Sequence, residues 1–275
     1  MPLLSAEPVI QTYAAQPTAQ GGGNNAWYQY HSLRQVAELT AESRASGIAA
    51  AERDIAFVVA ALELQPSDRL LEVGCGWGRH TLILHERGFR NLISVDIAPA
   101  MLAAARDRAA AANITADLRE CDFRDLSDEA PFDAILSLYD RSCCGFASEA
   151  EDRQSLATLH RMLRPGGVLF FGIGDWPVAL PTARRDWREW GGVVELLETI
   201  PDAAAMTCTD RTTVLSLSGR QIYGLTRRHY SLPELRRLLR DADFTIEQAW
   251  HAFDANRPYG PEHEGLFVLA RRGSV

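Results

Sequence analysis

Short apolar runs alternate with segments of helical periodicity along most of the chain. The runs that read as strands span 69–73, 92–95, 115–121, 132–138, 168–173, 245–251 and 266–270. Helical spacing of apolar residues falls between them, over 78–88, 98–112, 149–163 and 235–242. Strands that are separated by helices indicate a parallel sheet that is covered on both faces, so the pattern predicts an α/β fold.

Two regions depart from this alternation. Residues 1–25 are rich in Ala, Gln, Pro and Gly and predict a flexible N-terminal arm, while the helical spacing over 26–62 predicts a helical cap. The core domain is then expected over 63–275. Extended segments at 193–199, 212–217 and 220–230 interrupt it, the last two joined by a turn at 218–219. They predict a strand-rich insertion at about 176–230, after strand five, that forms a lid or an interface.

Composition excludes several kinds of chemistry. The net charge is -8 over 275 residues, which argues against a nucleic-acid partner because phosphate binding needs a basic face. All 28 basic residues are Arg, so Schiff-base chemistry and a phosphate-loop lysine are excluded. The five cysteines lack metal-ligand spacing, and we expect reduced thiols, no metal site and no membrane segment in a cytoplasmic protein.

A glycine-rich turn is the strongest motif of the chain. Leu71-Glu72-Val73-Gly74-Cys75-Gly76-Trp77-Gly78 places three glycines at alternate positions directly after the first strand. The second strand ends in Asp96, 22 residues beyond Gly74. Glycines let the backbone turn sharply beside a ligand, and an acid at the tip of the next strand accepts hydrogen bonds from a ribose diol. The spacing therefore predicts a nucleoside-binding βαβ unit.

Further motifs follow in order, at Glu120-Cys121-Asp122-Phe123, at 132–138 and at 163–169. Together with the glycine turn and Asp96, they resemble the class I, Rossmann-like S-adenosylmethionine-dependent methyltransferases, small-molecule type. The resemblance covers about 62–176 and resumes more weakly over 230–270. It implies a doubly wound, mostly parallel seven-stranded sheet with helices on both faces, and S-adenosylmethionine as the cofactor.

The resemblance also implies the cofactor contacts. The expected cofactor-binding residues are Tyr28, Glu72, Gly74, Gly76, Asp96, Ile97, Met101, Asp122, Phe123 and Leu138. Five of them have structural alternatives. Gly74 and Gly76 also suit a tight strand-to-helix turn that binds no ligand. Asp96 is also a plausible helix N-cap before Pro99, Asp122 a turn cap beside Arg124, and Met101 a core residue.

The acceptor is expected past the end of the fourth strand, where Tyr139 is the first residue of a loop. His229 and His31 are the best general-base candidates because only His titrates near neutrality without perturbation, although a packing role is an alternative for each. Tyr139 is the third catalytic candidate. Because a methyl transfer depends mainly on alignment of the acceptor, these residues are expected to act largely by positioning.

The sequence thus predicts transfer of a methyl group from S-adenosylmethionine to O, N or C of a small molecule. Two alternatives stay open: a relative that catalyses cyclisation or rearrangement without methyl transfer, and a non-catalytic cofactor-binding scaffold. An excess of Arg over 211–240 fits an anionic acceptor, a solvated face or a subunit contact. The expected partners are a small-molecule acceptor and a second copy of the chain, with no nucleic acid and no membrane.

Overall fold

The computed structural model describes residues 24–126, 131–138, 143–174, 182–254 and 265–274. Its helices are α1 (Asn24–Ala37), α2 (Ala41–Ala61), α3 (Arg79–Glu86), α4 (Pro99–Ala111), α5 (Glu149–Met162) and α6 (Leu232–Asp241). Its strands are β1 (Leu70–Val73), β2 (Leu92–Asp96), β3 (Asp117–Glu120), β4 (Phe132–Ser137), β5 (Leu163–Gly174), β6 (Arg184–Trp190), β7 (Val193–Asp202), β8 (Thr207–Ser216), β9 (Gly219–Arg228), β10 (Phe244–Trp250) and β11 (Gly265–Arg272).

Seven strands form the central sheet, in the order β10-β11-β5-β4-β1-β2-β3. β1 pairs in parallel with both β2 and β4, and β11 runs antiparallel to β5 and to β10. This arrangement confirms the predicted doubly wound, mostly parallel sheet. The carboxyl ends of β1 and β2 consequently lie side by side, where ligands bind in folds of this type.

Both faces of this sheet are buried, which explains the continuous apolar runs in the sequence. Leu71 on β1 belongs to one core cluster, together with residues of α5 and α6 such as Leu156 and Leu235. Its neighbour Leu70 belongs to a second cluster on the opposite face, with Ile55 of α2. Successive strand residues therefore supply two separate cores, and helices cover both faces as predicted.

The insertion is a separate four-stranded antiparallel sheet, in the order β6-β7-β8-β9. Its turn between β8 and β9 is formed by 217–218 rather than by the predicted 218–219, because Ser216 pairs with Gly219. Helix α1 contacts both β9 and α4, whereas α2 packs against α3. The two helices of the predicted cap thus lie on different parts of the molecule.

Several predicted boundaries differ from the structure; β8, for example, begins at Thr207 instead of residue 212. β5 begins at Leu163 instead of residue 168, because Leu163 already pairs with Phe132 of β4. The next pair is Val168 with Ala134, so residues 164–167 form an irregularity within the strand. Helix α6 begins three residues earlier than predicted, at Leu232 directly after its N-cap Ser231, so that Glu234 of the capping box lies in its first turn. The predicted arm lies outside the described residues except for 24–25, which begin α1. Across the described ranges, we find no helix with both the length and the apolar character needed to cross a bilayer.

Candidate functional site

The glycine turn between β1 and α3 is a left-handed bend anchored to β2. Gly74, Gly76 and Gly78 have φ angles of 73°, 55° and 72°. The backbone N–H groups of Gly74 and Cys75 both donate to the carbonyl oxygen of Val95, at 2.9 and 3.0 Å. Three positive φ angles in five residues require glycine, because side chains are strained in this conformation.

The glycines of the bend have different surroundings. A Cβ atom on Gly78 would lie 3.0 Å from the Cβ of Ala105, so this glycine permits close packing against α4. A Cβ on Gly76 would have no neighbour within 4 Å. Gly76 therefore borders open space at the carboxyl end of the sheet, where its backbone is accessible to a bound molecule.

Asp96 lies against this bend. Its Oδ2 accepts a hydrogen bond from the backbone N–H of Gly76 at 2.7 Å, and its Oδ1 accepts one from Ala98 at 2.8 Å. Burial raises the pKa of the carboxyl group, and the backbone N–H groups of Ala98 and Gly76 oppose that rise. The N-cap residue of α4 is Ala98, so Asp96 is not the N-cap itself. Each carboxylate oxygen has a further lone pair that can accept from a ligand hydroxyl group.

Glu72 lies beneath the bend, in the interior. Its Oε2 accepts hydrogen bonds from the hydroxyl groups of Thr81 and Ser94, at 2.6 and 3.0 Å. Its Oε1 is 3.8 Å from Nδ1 of His80, and the residue is 2% exposed. Burial raises the pKa of this carboxyl group. These partners occupy Glu72 inside the protein, so a direct cofactor contact by this residue stays a prediction.

The residues expected around adenine follow β2 and β3, which pair in parallel. Asp122 is the N-cap of the single 3₁₀ turn Phe123–Asp125, and its Oδ1 accepts hydrogen bonds from the backbone N and the Nε of Arg124, both at 2.9 Å. Although burial acts in the opposite direction, Arg124 lowers the pKa of Asp122. The turn-cap alternative is therefore the arrangement in the structure. Phe123 and Met101 are buried, and Ile97 is half-buried.

On the acceptor side, Tyr139 lies outside the described residues, and Leu138 before it is buried. The chain after this gap is held by Asp152, whose Oδ1 accepts from the backbone N–H groups of Gly145 and Phe146 at 2.7 and 2.9 Å. Its Oδ2 accepts from the Tyr230 hydroxyl group at 2.6 Å. This role of Asp152 was not predicted from the sequence, because an acid in the first turn of a helix does not indicate it.

The two candidate bases contact different parts of the insertion. His31 on α1 has its Nε2 atom 3.0 Å from the hydroxyl oxygen of Thr212, and its ring stacks on Trp27. Burial and the charges of neighbouring arginines lower its pKa to about 3, so His31 is neutral and a weak proton acceptor near pH 7. His229 is also buried, and its backbone N–H donates to the Met206 carbonyl at 2.9 Å. Tyr28 of α1 is half-buried, with its ring edge-on to that of Trp27.

Several arginines of 211–240 form ion pairs with acids that lie outside this range. Arg211 pairs with Glu198 at 2.6 Å, and Arg237 pairs with Glu149 at 3.1 Å. Arg227 forms an ion pair with Asp210. These pairings favour a network within the protein over a dedicated site for an anionic acceptor.

Part of the chain is similar to proteins of known family. Residues 70–167 match the model of a family described as a methyltransferase domain. A malonyl-[acyl-carrier protein] O-methyltransferase from Serratia marcescens is 31% identical over 146 residues, which cover 51% of this chain and 53% of that protein. The chain thus spans about half the length of this curated relative.

Solved structures share the fold over most of the chain. An S-adenosylmethionine-dependent methyltransferase from Clostridium acetobutylicum has a TM-score of 0.67 and 17% identity, covering 90% of this chain and 98% of that one. An amino pentose methyltransferase from Micromonospora echinaspora, solved with S-adenosylmethionine bound, has a TM-score of 0.53 and 23% identity over 88% of this chain and 96% of that one. The glycine bend, the adjoining carboxylate and the free space beside Gly76 fit this cofactor. Residues 70–167 are thus similar to a methyltransferase domain, and the chain shares the fold of S-adenosylmethionine-dependent methyltransferases.

Proposed function

We propose that this protein transfers a methyl group from S-adenosylmethionine to a small-molecule acceptor. The observation that carries the proposal is the contact of 2.7 Å between the Gly76 N–H and the Asp96 carboxylate, at the edge of open space. This contact joins a bare backbone bend to a buried acid at the carboxyl ends of two adjacent parallel strands. When bound, S-adenosylmethionine supplies a methyl group that is activated by its sulfonium charge.

Each part of the donor has a candidate partner among the residues of this edge. We assign the methionine portion to the backbone of Gly74 and Gly76, and the ribose hydroxyl groups to the free lone pairs of Asp96. Ile97 and Met101 follow Asp96 and offer apolar surface for the adenine ring. Because Asp122 is bound to Arg124, we expect adenine recognition to rely more on backbone groups near Phe123 than on this carboxylate.

The position of α1 favours a small acceptor. This helix contacts both α4, which follows Asp96, and β9 of the insertion. The buried Glu195 of β7 accepts a hydrogen bond from the Tyr30 hydroxyl group, and the Tyr30 ring stacks on Tyr223 with centroids 4.5 Å apart. A helix fixed between the core and the insertion restricts access to the donor edge, which suits a small molecule better than a polymer. The amino pentose methyltransferase among the similar structures is consistent with this class, whereas the malonyl-[acyl-carrier protein] O-methyltransferase is named for a carrier-bound acyl group.

A strong general base is not required by this proposal. His31 is a poor proton acceptor because of its lowered pKa. His229 and Tyr139 stay candidates for positioning the acceptor or removing its proton. Alignment of the acceptor with the donor supplies much of the rate enhancement in such a reaction.

The outer face of the insertion supports the proposal of a homodimer. Trp187, Leu196 and Ile222 are exposed and lie near one another across β6, β7 and β9. Beside them, Arg185 and Arg211 flank Glu198, so the face offers charges of both signs. A surface of this kind can pair with a copy of itself around a two-fold axis. Light scattering should give a dimer for the native chain and a monomer for Trp187→Glu; a native monomer would contradict this proposal.

The proposed activity is tested with donor that carries a labelled methyl group. Purified protein is incubated with this donor and with pools of amino sugars, carboxylic acids and phenols, and with protein and RNA as competing acceptors. We expect label in a small-molecule product and loss of that product in Asp96→Ala. Label only in polymers would contradict the small-molecule assignment, and cofactor-dependent conversion without label transfer would favour rearrangement chemistry.

A further inference from the structure

Trp77 is the one large side chain of the glycine bend, between Gly76 and Gly78. Its ring packs against Gly47 of α2, where an added Cβ atom would lie 3.1 Å from Cζ2 of the indole. The guanidinium group of Arg108 on α4 lies over the same ring, with its carbon atom 4.6 Å from the ring centroid. The half-buried indole is thus held by contacts with two helices.

The two halves of the bend are held in different ways. Backbone N–H groups of Gly74, Cys75 and Gly76 donate to β2 and fix the first half. In the second half, the Trp77 carbonyl oxygen accepts a hydrogen bond from Nη1 of Arg108 at 3.4 Å. Arg108 therefore contacts both the backbone and the ring of Trp77, so the position of the second half depends on the helices around this residue.

One face of α4 supports the second half of the bend. Arg108 follows Ala105 by three residues and lies on the same face of the helix, and Ala105 packs so closely on Gly78 that an added Cβ atom there would be 3.0 Å from its own. Burial lowers the pKa of Arg108, Arg44 of α2 adds to this effect and Glu86 opposes it. A cation that is partly withdrawn from water interacts more strongly with an aromatic ring than a hydrated one does.

We propose that Trp77 is a positioning residue that, held between Gly47 and Arg108, keeps the glycine bend in the conformation that binds the methyl donor. The proposal rests on the placement of the donor at this bend. By linkage, a molecule that requires this conformation also stabilises the contact between the indole and α2. Binding at the bend is therefore coupled to the first half of the cap helix, residues 41–50, most of which are exposed.

Dissociation constants for S-adenosylhomocysteine, measured by calorimetry, test the indole itself. Trp77→Ala removes the ring and should weaken binding at least about tenfold. Trp77→Phe keeps an aromatic ring for Arg108 and should lose less affinity. Native affinity in folded Trp77→Ala, or equal losses in the two variants, overturns the proposal.

The Arg108 contact gives a test that leaves the sequence of the bend intact. Arg108→Gln should weaken binding at least about threefold, and Arg108→Lys, which keeps a cation for the indole, should restore part of the affinity. Arg106→Gln is the matched control, because it removes the same charge from α4 while the Arg106 side chain donates to the Leu118 carbonyl at 3.3 Å. Equal affinities of Arg108→Gln and Arg106→Gln overturn the proposal.

The contact with α2 is tested from the side of the helix. Gly47→Leu introduces a good helix former whose side chain takes the space of the indole, and it should weaken binding at least about threefold. Ser46→Leu places the same side chain at the exposed neighbouring position and should bind like the native protein. Equal affinities of these two variants overturn the contribution of α2.

Hydrogen exchange measures the coupling directly. Saturation of the native protein with S-adenosylhomocysteine should slow amide exchange over residues 41–50 at least about twofold, and the same saturation of Trp77→Ala should not. A native protein that exchanges equally fast over this segment with and without the ligand overturns the coupling.

The same measurements separate this inference from the proposed function. Failure of the folded native protein to bind S-adenosylhomocysteine would remove the placement of the donor itself. Native binding together with unchanged dissociation constants in the variants would leave that placement intact and refute only the role of Trp77. Thermal unfolding of each variant completes the comparison, because a role in stability alone lowers the melting temperature and leaves the dissociation constant unchanged.

Discussion

Removing one hydroxyl group from the interior tests how firmly the structure holds the chain after β4. Tyr230 donates to the buried Asp152 carboxylate at 2.6 Å, and Asp152 also accepts from the backbone N–H groups of Gly145 and Phe146. Tyr230→Phe deletes this single donor and leaves the aromatic ring in place. The variant therefore isolates a hydrogen bond to a carboxylate that is 0% exposed.

The magnitude follows from the burial of the acceptor. A hydrogen bond to a charged group contributes about 1.5–3 kcal/mol, and the upper part of this range applies when water cannot replace the donor. For a chain of this size, each kcal/mol shifts the melting temperature by about 2–4 °C, so we expect a decrease of roughly 3–12 °C. Tyr223→Phe is the control, because the Tyr223 hydroxyl group donates to the neutral amide oxygen of Gln221 and its loss should cost about 1 kcal/mol or less.

The pH dependence of the difference adds a second check. Burial raises the pKa of Asp152, and the Tyr230 hydroxyl group opposes that rise. In Tyr230→Phe the pKa of Asp152 should rise further, so this carboxylate takes up a proton at a higher pH than in the native protein. Once it is neutral, the missing hydrogen bond from Tyr230 costs the variant less stability. The difference in melting temperature should thus be largest near neutral pH and shrink in acid. Equal melting temperatures of the native protein and Tyr230→Phe at neutral pH, measured by calorimetry, would refute the reasoning.

Three further predictions concern the insertion and the bend. Glu195→Gln removes the buried negative charge that accepts a hydrogen bond from Arg188. Because Arg188 is one-third exposed and can be hydrated again, the free energy of unfolding, measured with urea, should fall by about 1–3 kcal/mol. Gly76→Ala and Gly78→Ala should each destabilise the fold by about 1–2 kcal/mol through their positive φ angles, Gly78→Ala more because its Cβ also crowds Ala105. Gly76→Ala should in addition weaken donor binding about tenfold, because its Cβ enters the open space; calorimetry that finds equal donor affinity would contradict the site. Because the pKa of His31 is lowered to about 3, its ring resonances in NMR spectra should not titrate between about pH 5 and about pH 8, and a shift in that range would contradict its buried environment.

The central sheet could be predicted from the sequence because its strands are buried on both faces. Leu70 and Leu71 are buried in opposite clusters, so β1 reads as a continuous apolar run that ends at glycine. The glycine bend and Asp96 could also be predicted, because positive φ angles require glycine and because the acid ends a buried strand. Local patterns of this kind involve residues close together in the chain.

The elements that sequence reasoning missed depend on distant contacts. β6 (Arg184–Trp190) was not predicted, because it is an edge strand with mostly charged and exposed residues and therefore has no apolar alternation. Glu195 appears as an ordinary polar residue in a strand, yet it is buried against Tyr30, 165 positions away. Asp152 likewise depends on Tyr230, 78 positions further along the chain. Such partners follow only from the packing of α1 and the insertion on the core.

We assign the ribose of the methyl donor to the Asp96 carboxylate beside the glycine bend. A thermodynamic cycle tests it most directly, with dissociation constants measured for S-adenosylhomocysteine and for its analogue without the ribose 2′-hydroxyl group, on the native protein and on Asp96→Asn. We expect removal of the hydroxyl group to weaken binding to the native protein about tenfold and to change binding to Asp96→Asn much less, a coupling of at least about 1 kcal/mol. Equal losses in the two proteins, with both folded, would contradict the account.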